Sequence, residues 1–210
     1  DYVLCYEEIW SSGKYKTWKD FLIDTAKLRK YINSKDAKDW ILHCEDYWYF
    51  LVTFIALLQC KKRILLTQNI SESFIQEIKT ESIEFLTDQN VDDSTLIPTL
   101  IENAVLPTEE EFRCDIEINS DETEILMFTS GSTGKPKAVP QRMTEFELDN
   151  AFIISKWAKE FTARKLVTTV SQHHIYGFLF GMSLPFTLGV PFRRTRITFP
   201  EEFEKLTDEK

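Results

Sequence analysis

Short apolar runs alternate with amphipathic stretches along the first 90 residues of the chain. A capped start at Thr17 precedes apolar residues that recur on one helical face from Trp18 to Ile32. Further helices are predicted at 45–59 and 71–80, and short buried strands at 39–44, 63–66 and 83–87. This alternation predicts an α/β fold with a mostly parallel sheet flanked by helices on both faces.

The pattern changes between residues 88 and 121, which are acidic and contain Pro98 and Pro107. This stretch is interpreted as an irregular connection with one short hairpin, and a linker between two domains is the competing interpretation. Regular patterns then resume with strands at 124–129, 165–170 and 190–195 and helices at 144–161 and 175–189. Thr144 and Glu147 match a capping box that would open the first of these helices, with Met143 and Leu148 as its hydrophobic staple.

Composition and charge narrow the classes of function. The 210 residues carry a net charge of −9 and are 43% hydrophobic, which favours a packed core and disfavours binding to nucleic acid or anionic membranes. The dense basic cluster, Arg193, Arg194 and Arg196, is too small to reverse that expectation. The apolar run from Tyr47 to Leu58 is too short to span a bilayer and predicts a core helix.

The cysteines and histidines form no zinc-binding pattern. Cys5, Cys44, Cys60 and Cys114 are scattered along the chain, and the sequence contains three histidines. Reduced, mostly buried thiols are therefore expected, and with them a cytoplasmic location. No metal ligand is predicted.

The stretch MFTSGSTGKPKAVP (127–140) begins within the predicted strand 124–129 and combines features that suit phosphate binding. Its glycines allow the backbone to approach a ligand closely, its hydroxyls add hydrogen-bond donors, and its lysines add positive charge. The glycines are only three residues apart and Pro136 follows Lys135, so the stretch is neither a Walker A loop nor a dinucleotide fingerprint. A flexible Ser/Gly turn is the alternative interpretation.

Residues 128–137 resemble the phosphate-binding signature of the adenylate-forming enzymes, which include acyl-CoA synthetases, luciferases and the adenylation domains of peptide synthetases. The signature runs [YF]-T-S-G-[ST]-T-G-x-P-K-G, and the match breaks at Ala138, where the family has glycine. The stretch HHIYGFLFG is similar to the next family signature, on which His174, Tyr176 and Gly177 fall. The segment 44–71 resembles an earlier one, with Cys60–Lys62 in place of a usual glycine.

The resemblance implies a chemistry, a set of ligands and a set of site residues. Mg-ATP would activate a carboxylic acid to an acyl-adenylate, and the thiol of CoA or of a carrier-protein phosphopantetheine would then accept the acyl group. Lys137 would neutralise the pyrophosphate, and His174 would line the junction between the acyl pocket and the α-phosphate. The cradle for the β- and γ-phosphates would comprise Thr129, Ser130, Gly131, Ser132, Thr133 and Gly134.

The resemblance also implies that residues 1–210 are a single incomplete domain. The chain stops where Pro200 and the acids behind it predict a new helix. The chain is therefore expected to be the first part of the large N-terminal domain, without the C-terminal domain, and to be inactive alone. A non-catalytic relative with a vestigial phosphate loop, serving in nucleotide binding or carrier docking, is the alternative, and the departures at Ala138 and Cys60–Lys62 give it weight. A third hypothesis, an unrelated phosphotransferase, would need a downstream acidic metal ligand.

Overall fold

The computed structural model describes residues 2–7, 12–113, 116–130, 136–161 and 164–207. The strands are β1 (Val3–Tyr6), β2 (Tyr15–Thr17), β3 (Asp39–His43), β4 (Arg63–Leu66), β5 (Ile83–Thr87), β6 (Thr95–Leu96), β7 (Glu124–Ser130), β8 (Pro136–Arg142) and β9 (Phe192–Arg193). The helices are α1 (Trp18–Asn33), α2 (Tyr47–Gln59), α3 (Glu72–Ile78), α4 (Ile97–Asn103), α5 (Glu109–Phe112), α6 (Met143–Phe161), α7 (Ile175–Phe178), α8 (Leu184–Leu188) and α9 (Pro200–Thr207), and a π-helical segment (Leu179–Ser183) joins α7 to α8.

Six strands form the main sheet in the order β6-β5-β3-β4-β7-β8. All neighbouring pairs are parallel except β7 and β8, which form an antiparallel hairpin. A small second sheet has the order β2-β1-β9, in which β9 runs parallel to β1. The predicted mostly parallel sheet is confirmed.

The core lies on both faces of the main sheet because successive strand residues point to opposite sides. On one face, Trp40 and Leu42 of β3 join a large cluster with α1, α2 and the α7–α8 segment. On the other face, Ile41 packs in a smaller cluster with Ile75 of α3. Helices therefore cover both faces, as the alternation of elements predicts.

Helix α2 is buried on nearly every side, which explains its unbroken apolar sequence. Asp46 caps its first turn by accepting a hydrogen bond from the Trp48 N–H at 2.7 Å. The rings of Phe54 and Phe178 lie 5.0 Å apart, so α2 also contacts α7. The prediction of a core helix is confirmed, and no helix in the described part of the chain has the length and apolar character needed to cross a bilayer.

The segment 88–121 was expected to be an irregular connection with a hairpin, and this is wrong for its described residues. They contain the short parallel strand β6 and the helices α4 and α5. Pro98 occupies the first turn of α4, where its missing N–H costs no hydrogen bond, and Thr108 with Glu111 forms a capping box for α5. Pro98 lies in the first turn of a helix and Pro107 directly precedes the N-cap of the next one, so both mark helix starts.

Two other local predictions are wrong. The predicted strand 165–170 makes only an isolated bridge from Leu166 to Phe192 in the described residues. Helix α6 begins at Met143, earlier than the predicted capping box, because the Arg142 N–H donates to the Glu145 carboxylate at 3.0 Å. Thr144 instead donates to Asp121, and Leu148 is 66% exposed.

Candidate active site at the carboxyl edge of the sheet

The carboxyl ends of β3, β4 and β7 lie at one edge of the main sheet because these three strands are parallel neighbours. Ligands of open α/β sheets bind outside this edge. At about 4.8 Å between strands, the ends of β3 and β7 are roughly 10 Å apart. The predicted phosphate loop leaves the end of β7, and the segment before His174 packs beyond the end of β3.

The predicted phosphate loop, residues 128–137, includes the paired ends of β7 and β8. Strand pairing runs from Glu124 opposite Arg142 to Ser130 opposite Pro136, so the five residues 131–135 connect the last pair. The predicted site residues Gly131, Ser132, Thr133 and Gly134 lie outside the described residues. Thr129 and Ser130 are the last residues of β7 and are described by their backbone only.

Lys137 lies on β8 opposite Thr129, and its side chain is exposed. Its neighbour Ala138 pairs with Phe128 in the regular ladder. Among the described non-glycine residues, only Lys61 and Asp93 have positive φ, so Ala138 causes no backbone strain where the family has glycine.

His174 stands at the start of α7 with an exposed side chain. Its N–H donates to the carbonyl of Ser171 at 3.1 Å, and its own carbonyl accepts from the Phe178 N–H at 2.8 Å. The backbone of His174 is therefore fixed on both sides while its imidazole faces solvent.

The segment 170–173 is attached to the turn between β3 and α2. The Gln172 amide donates to the carbonyl of Cys44, and His173 Nε2 accepts the N–H of the same residue at 3.1 Å. The Tyr47 hydroxyl also donates to the carbonyl of Val170. Two side chains thus satisfy both backbone groups of Cys44, and sequence reasoning did not find this attachment.

Gly177 permits the close approach of α7 to this segment. A Cβ atom at position 177 would lie 1.9 Å from the carbonyl oxygen of Ser171. This contact is far below any van der Waals distance, so no other residue fits without moving the segment that leads to His174. The glycine of the second signature is therefore a packing requirement.

The rings of His43 and His173 are stacked, with centroids 4.3 Å apart and planes within 4°. Each residue is 2% exposed. The Cys44 N–H needs an acceptor, so Nε2 of His173 carries no proton and Nδ1 donates to the Ser171 hydroxyl at 2.8 Å. Burial, followed by the nearby His43, His174 and Arg196, lowers the pKa of His173 well below its usual value. His173 is therefore a neutral imidazole that serves a structural role at this site.

The basic cluster at 193–196 is used in internal ion pairs. Arg193 contacts Glu202 at 3.0 Å, Arg194 contacts Asp46 at 2.5 Å, and Arg196 contacts Glu45 at 3.3 Å. These contacts leave no free basic patch at this position. The signal in the sequence is the pair of adjacent acids Glu45 and Asp46 at the start of the predicted helix 45–59.

The residue types of the predicted phosphate loop suit a polyphosphate better than a protein-bound metal. Within the described ranges, no group of three His, Cys, Asp or Glu side chains is arranged to hold a metal ion. The sequence 129–137 contains hydroxyls, glycines and lysines, which are suited to donate hydrogen bonds to phosphate oxygens. Mg²⁺ commonly binds through substrate phosphates with few protein ligands, and this donor set is compatible with such a bridging ion.

Comparisons with known proteins agree with this geometry. The model of the family described as AMP-binding enzyme matches residues 52–208. A comparison with curated protein sequences gives no significant match. ATP-bound MatB from Rhodopseudomonas palustris is 13% identical with a TM-score of 0.74, over 100% of this chain and 45% of that chain.

A second set of solved structures gives the same result. o-Succinylbenzoate CoA synthetase (MenE) from Bacillus subtilis in complex with AMP is 17% identical with a TM-score of 0.71, over 98% of this chain and 55% of that chain. The same enzyme in complex with ATP and magnesium is 16% identical with a TM-score of 0.68, over 98% of this chain and 57% of that chain. At these identities the likeness establishes the fold, and the chain spans about half the length of the synthetases it matches.

Proposed function

The chain belongs to the AMP-binding enzyme family, and from this membership we propose that the natural protein is an acid–thiol ligase. It would use ATP to convert a carboxylic acid to an acyl-adenylate, releasing pyrophosphate, and then transfer the acyl group to a thiol. The observation that carries the proposal is the loop 128–137, which lies on a hairpin at the carboxyl edge of the sheet and inside the matched region.

We assign the β- and γ-phosphates of ATP to the segment from Thr129 to Gly134. Lys137, which is exposed on β8, is assigned to the pyrophosphate. A cation about 4 Å from a phosphate charge contributes roughly 4 kcal/mol at an effective dielectric constant of 20. Mg²⁺ would bind to the phosphate oxygens of ATP and would neutralise the negative charge that develops on them during the reaction.

We assign His174 to the junction between the acyl pocket and the α-phosphate. Its exposed imidazole and fixed backbone support this role, because a reacting carboxylate must be held in one orientation. The acceptor is either CoA or a carrier-protein phosphopantetheine. Incubating the adenylated protein with each thiol and measuring the acyl thioester would identify it.

The departures from the family pattern do not favour a vestigial loop. Ala138 lies in an ordinary strand, and Lys61, in the stretch where the family usually has glycine, takes the left-handed conformation that glycine adopts most easily. Both substitutions are accommodated by the fold. We also propose a cytoplasmic location, supported by the free thiols of Cys5, Cys44 and Cys60.

Pyrophosphate exchange driven by a carboxylic acid tests the proposal in the natural protein. Lys137→Ala is expected to lower the exchange rate by about 100- to 1000-fold, since one preorganised donor to a developing anion contributes that much. Arg142→Ala is the matched control because it removes the same charge from the far end of the same strand, opposite Glu124. Equal exchange rates for Lys137→Ala and the wild-type protein would contradict the assignment of Lys137. If the wild-type protein shows no pyrophosphate exchange with any carboxylic acid tested, the non-catalytic alternative is supported.

A further inference from the structure

His173 and Gln172 hold the backbone of Cys44 through two side-chain hydrogen bonds, one to its N–H and one to its carbonyl. Cys44 follows the last residue of β3, so its position is fixed by the main sheet. His174 comes directly after these two side chains and starts α7. The position of His174 relative to the sheet therefore depends on the bonds made by the two residues before it.

The side chain of His173 makes specific hydrogen bonds at both ring nitrogens, which packing alone does not require. Its two ring nitrogens have opposite roles, since Nε2 accepts from Cys44 and Nδ1 donates to the Ser171 hydroxyl at 2.8 Å. The same hydroxyl accepts the backbone N–H of His173 at 3.4 Å. One imidazole thereby connects the turn after β3 to the start of the segment that carries His174.

The stacked partner favours a single orientation of this ring. His43 Nδ1 donates to the carbonyl of Thr67 at 2.9 Å, and its Nε2 lies 3.8 Å from the Glu45 carboxylate. The ring of Phe50 meets His173 edge-on at 5.5 Å. Together with the hydrogen bonds at both ring nitrogens, these two ring contacts favour one orientation of the His173 ring, so its hydrogen-bond roles are preorganised.

We propose that His173 is a positioning residue. Its hydrogen bonds attach the segment 171–174 to the Cys44 backbone and thereby keep His174 in the position that adenylation requires. The inference rests on the proposed role of His174 in adenylation. It assigns to His173 a contribution to catalysis without contact to substrate. A shift of about 1 Å in a reacting group can cost on the order of 100-fold in rate, so loss of the attachment should be visible in turnover.

The test compares His173→Leu with His173→Gln in the natural protein. Leucine removes the acceptor for the Cys44 N–H, whereas the amide oxygen of glutamine can accept it. We expect His173→Leu to lower the turnover number of adenylation by about 10- to 100-fold with little change in the KM for ATP. His173→Gln should recover most of that loss. Ile101→Ala is the stability control because it removes a buried side chain from α4.

Hydrogen exchange at the Cys44 amide separates this proposal from the proposed function. Exchange should accelerate by at least tenfold in His173→Leu and remain slow in His173→Gln and Ile101→Ala. If His174→Ala keeps full activity, the role of His174 fails while the exchange result still reports the attachment. If His173→Leu leaves both the turnover number and Cys44 exchange at wild-type values, or if His173→Gln loses as much turnover as His173→Leu, the positioning role is overturned.

Discussion

Lys61 has a φ of 54° directly after the end of α2, in the left-handed region that favours glycine. A residue with a Cβ atom is disfavoured there by about 1–2 kcal/mol. The family pattern places glycine in this stretch, and glycine adopts the positive φ seen at Lys61 without a steric cost. The position terminates a helix, as the bond from the Lys62 N–H to the Leu57 carbonyl at 3.0 Å indicates.

Lys61→Gly is expected to raise the free energy of unfolding by about 1 kcal/mol, because the strain at Lys61 is relieved. Urea denaturation followed by fluorescence measures the change. Lys62→Gly is the control, since Lys62 has no positive φ and its ammonium donates to the carbonyl of Ala37 at 2.8 Å. A control that stabilises as much as Lys61→Gly would contradict the explanation.

The buried imidazole of His173 makes stability depend on pH. Its pKa is lowered by burial and by the neighbouring His43, His174 and Arg196, and Glu45 lies near the stacked ring. The folded protein therefore holds the neutral form, whereas the unfolded chain takes up a proton near pH 6.5. The stability from this group is complete above pH 6.5 and is lost as the pH falls below it.

Between pH 7.5 and 5.5 the wild-type protein should lose about 1 kcal/mol more unfolding free energy than His173→Gln. Urea denaturation across that range measures both slopes. Parallel curves would show that His173 takes up its proton equally in the folded and unfolded states.

At the scale of elements, Arg194 joins β9 to the start of α2. Its guanidinium makes two hydrogen bonds to Asp46, and its carbonyl accepts the Tyr47 N–H at 2.7 Å. Burial raises the pKa of the Asp46 carboxyl although Arg194 opposes that shift. The pair therefore depends on both partners, since either charge alone would be poorly solvated.

Arg194→Met is expected to lower the unfolding free energy by about 3 kcal/mol, because it leaves the mostly buried Asp46 carboxylate without its cation. Thermal unfolding measures the loss. Arg63→Met is the control, since Arg63 pairs with Asp39 with 42% of its side chain exposed and should cost about 1 kcal/mol or less. Similar losses in the two variants would contradict the importance of burial.

The elements that the sequence predicted are those with strong local signals. The observed strands 63–66 and 83–87 have the same bounds as the predicted apolar runs. Thr17 forms the predicted helix cap, together with Asp20. Strands β1, β2 and β8 were missed because they depend on pairing with distant or turn-linked partners. Strand propensity depends strongly on such context.

At the scale of the whole molecule, one core cluster connects the two sheets. Leu4 of β1 and Phe192 of β9 belong to the same cluster as Trp40 and Ile64 of the main sheet. The small sheet has no separate core in the described residues. The two sheets should therefore unfold together.

Leu4→Ala, at a residue 1% exposed, is expected to lower the unfolding free energy by about 2–5 kcal/mol. Tryptophan fluorescence and far-UV circular dichroism should move to the same lower urea midpoint. Ile75→Ala, on the opposite face of the main sheet, should likewise shift both probes together. Two separate transitions in either variant would contradict a single cooperative unit.

In the candidate site, the sequence predicted only the residues that belong to short contiguous motifs. The loop 128–137, Lys137 and His174 were identified from signatures, and their roles stay predictions. The hydrogen bonds that fix the segment before His174 could not be predicted from the sequence, because only the fold brings Cys44 next to Gln172 and His173. Residue types can mark a ligand-binding loop, but the side chains that hold it in place are set by tertiary contacts.

The parallel pairing of β1 with β9 also has a consequence for synthesis. Cys5 lies opposite Phe192, roughly 190 residues later in the chain, so a ribosome adding about 5–20 residues per second needs on the order of 10–40 s to supply the partner. During that interval the main sheet can assemble while one side of β1 stays open. An unpaired strand edge is a template for association with other chains. During synthesis the protein is therefore expected to be most prone to association before β9 leaves the ribosome.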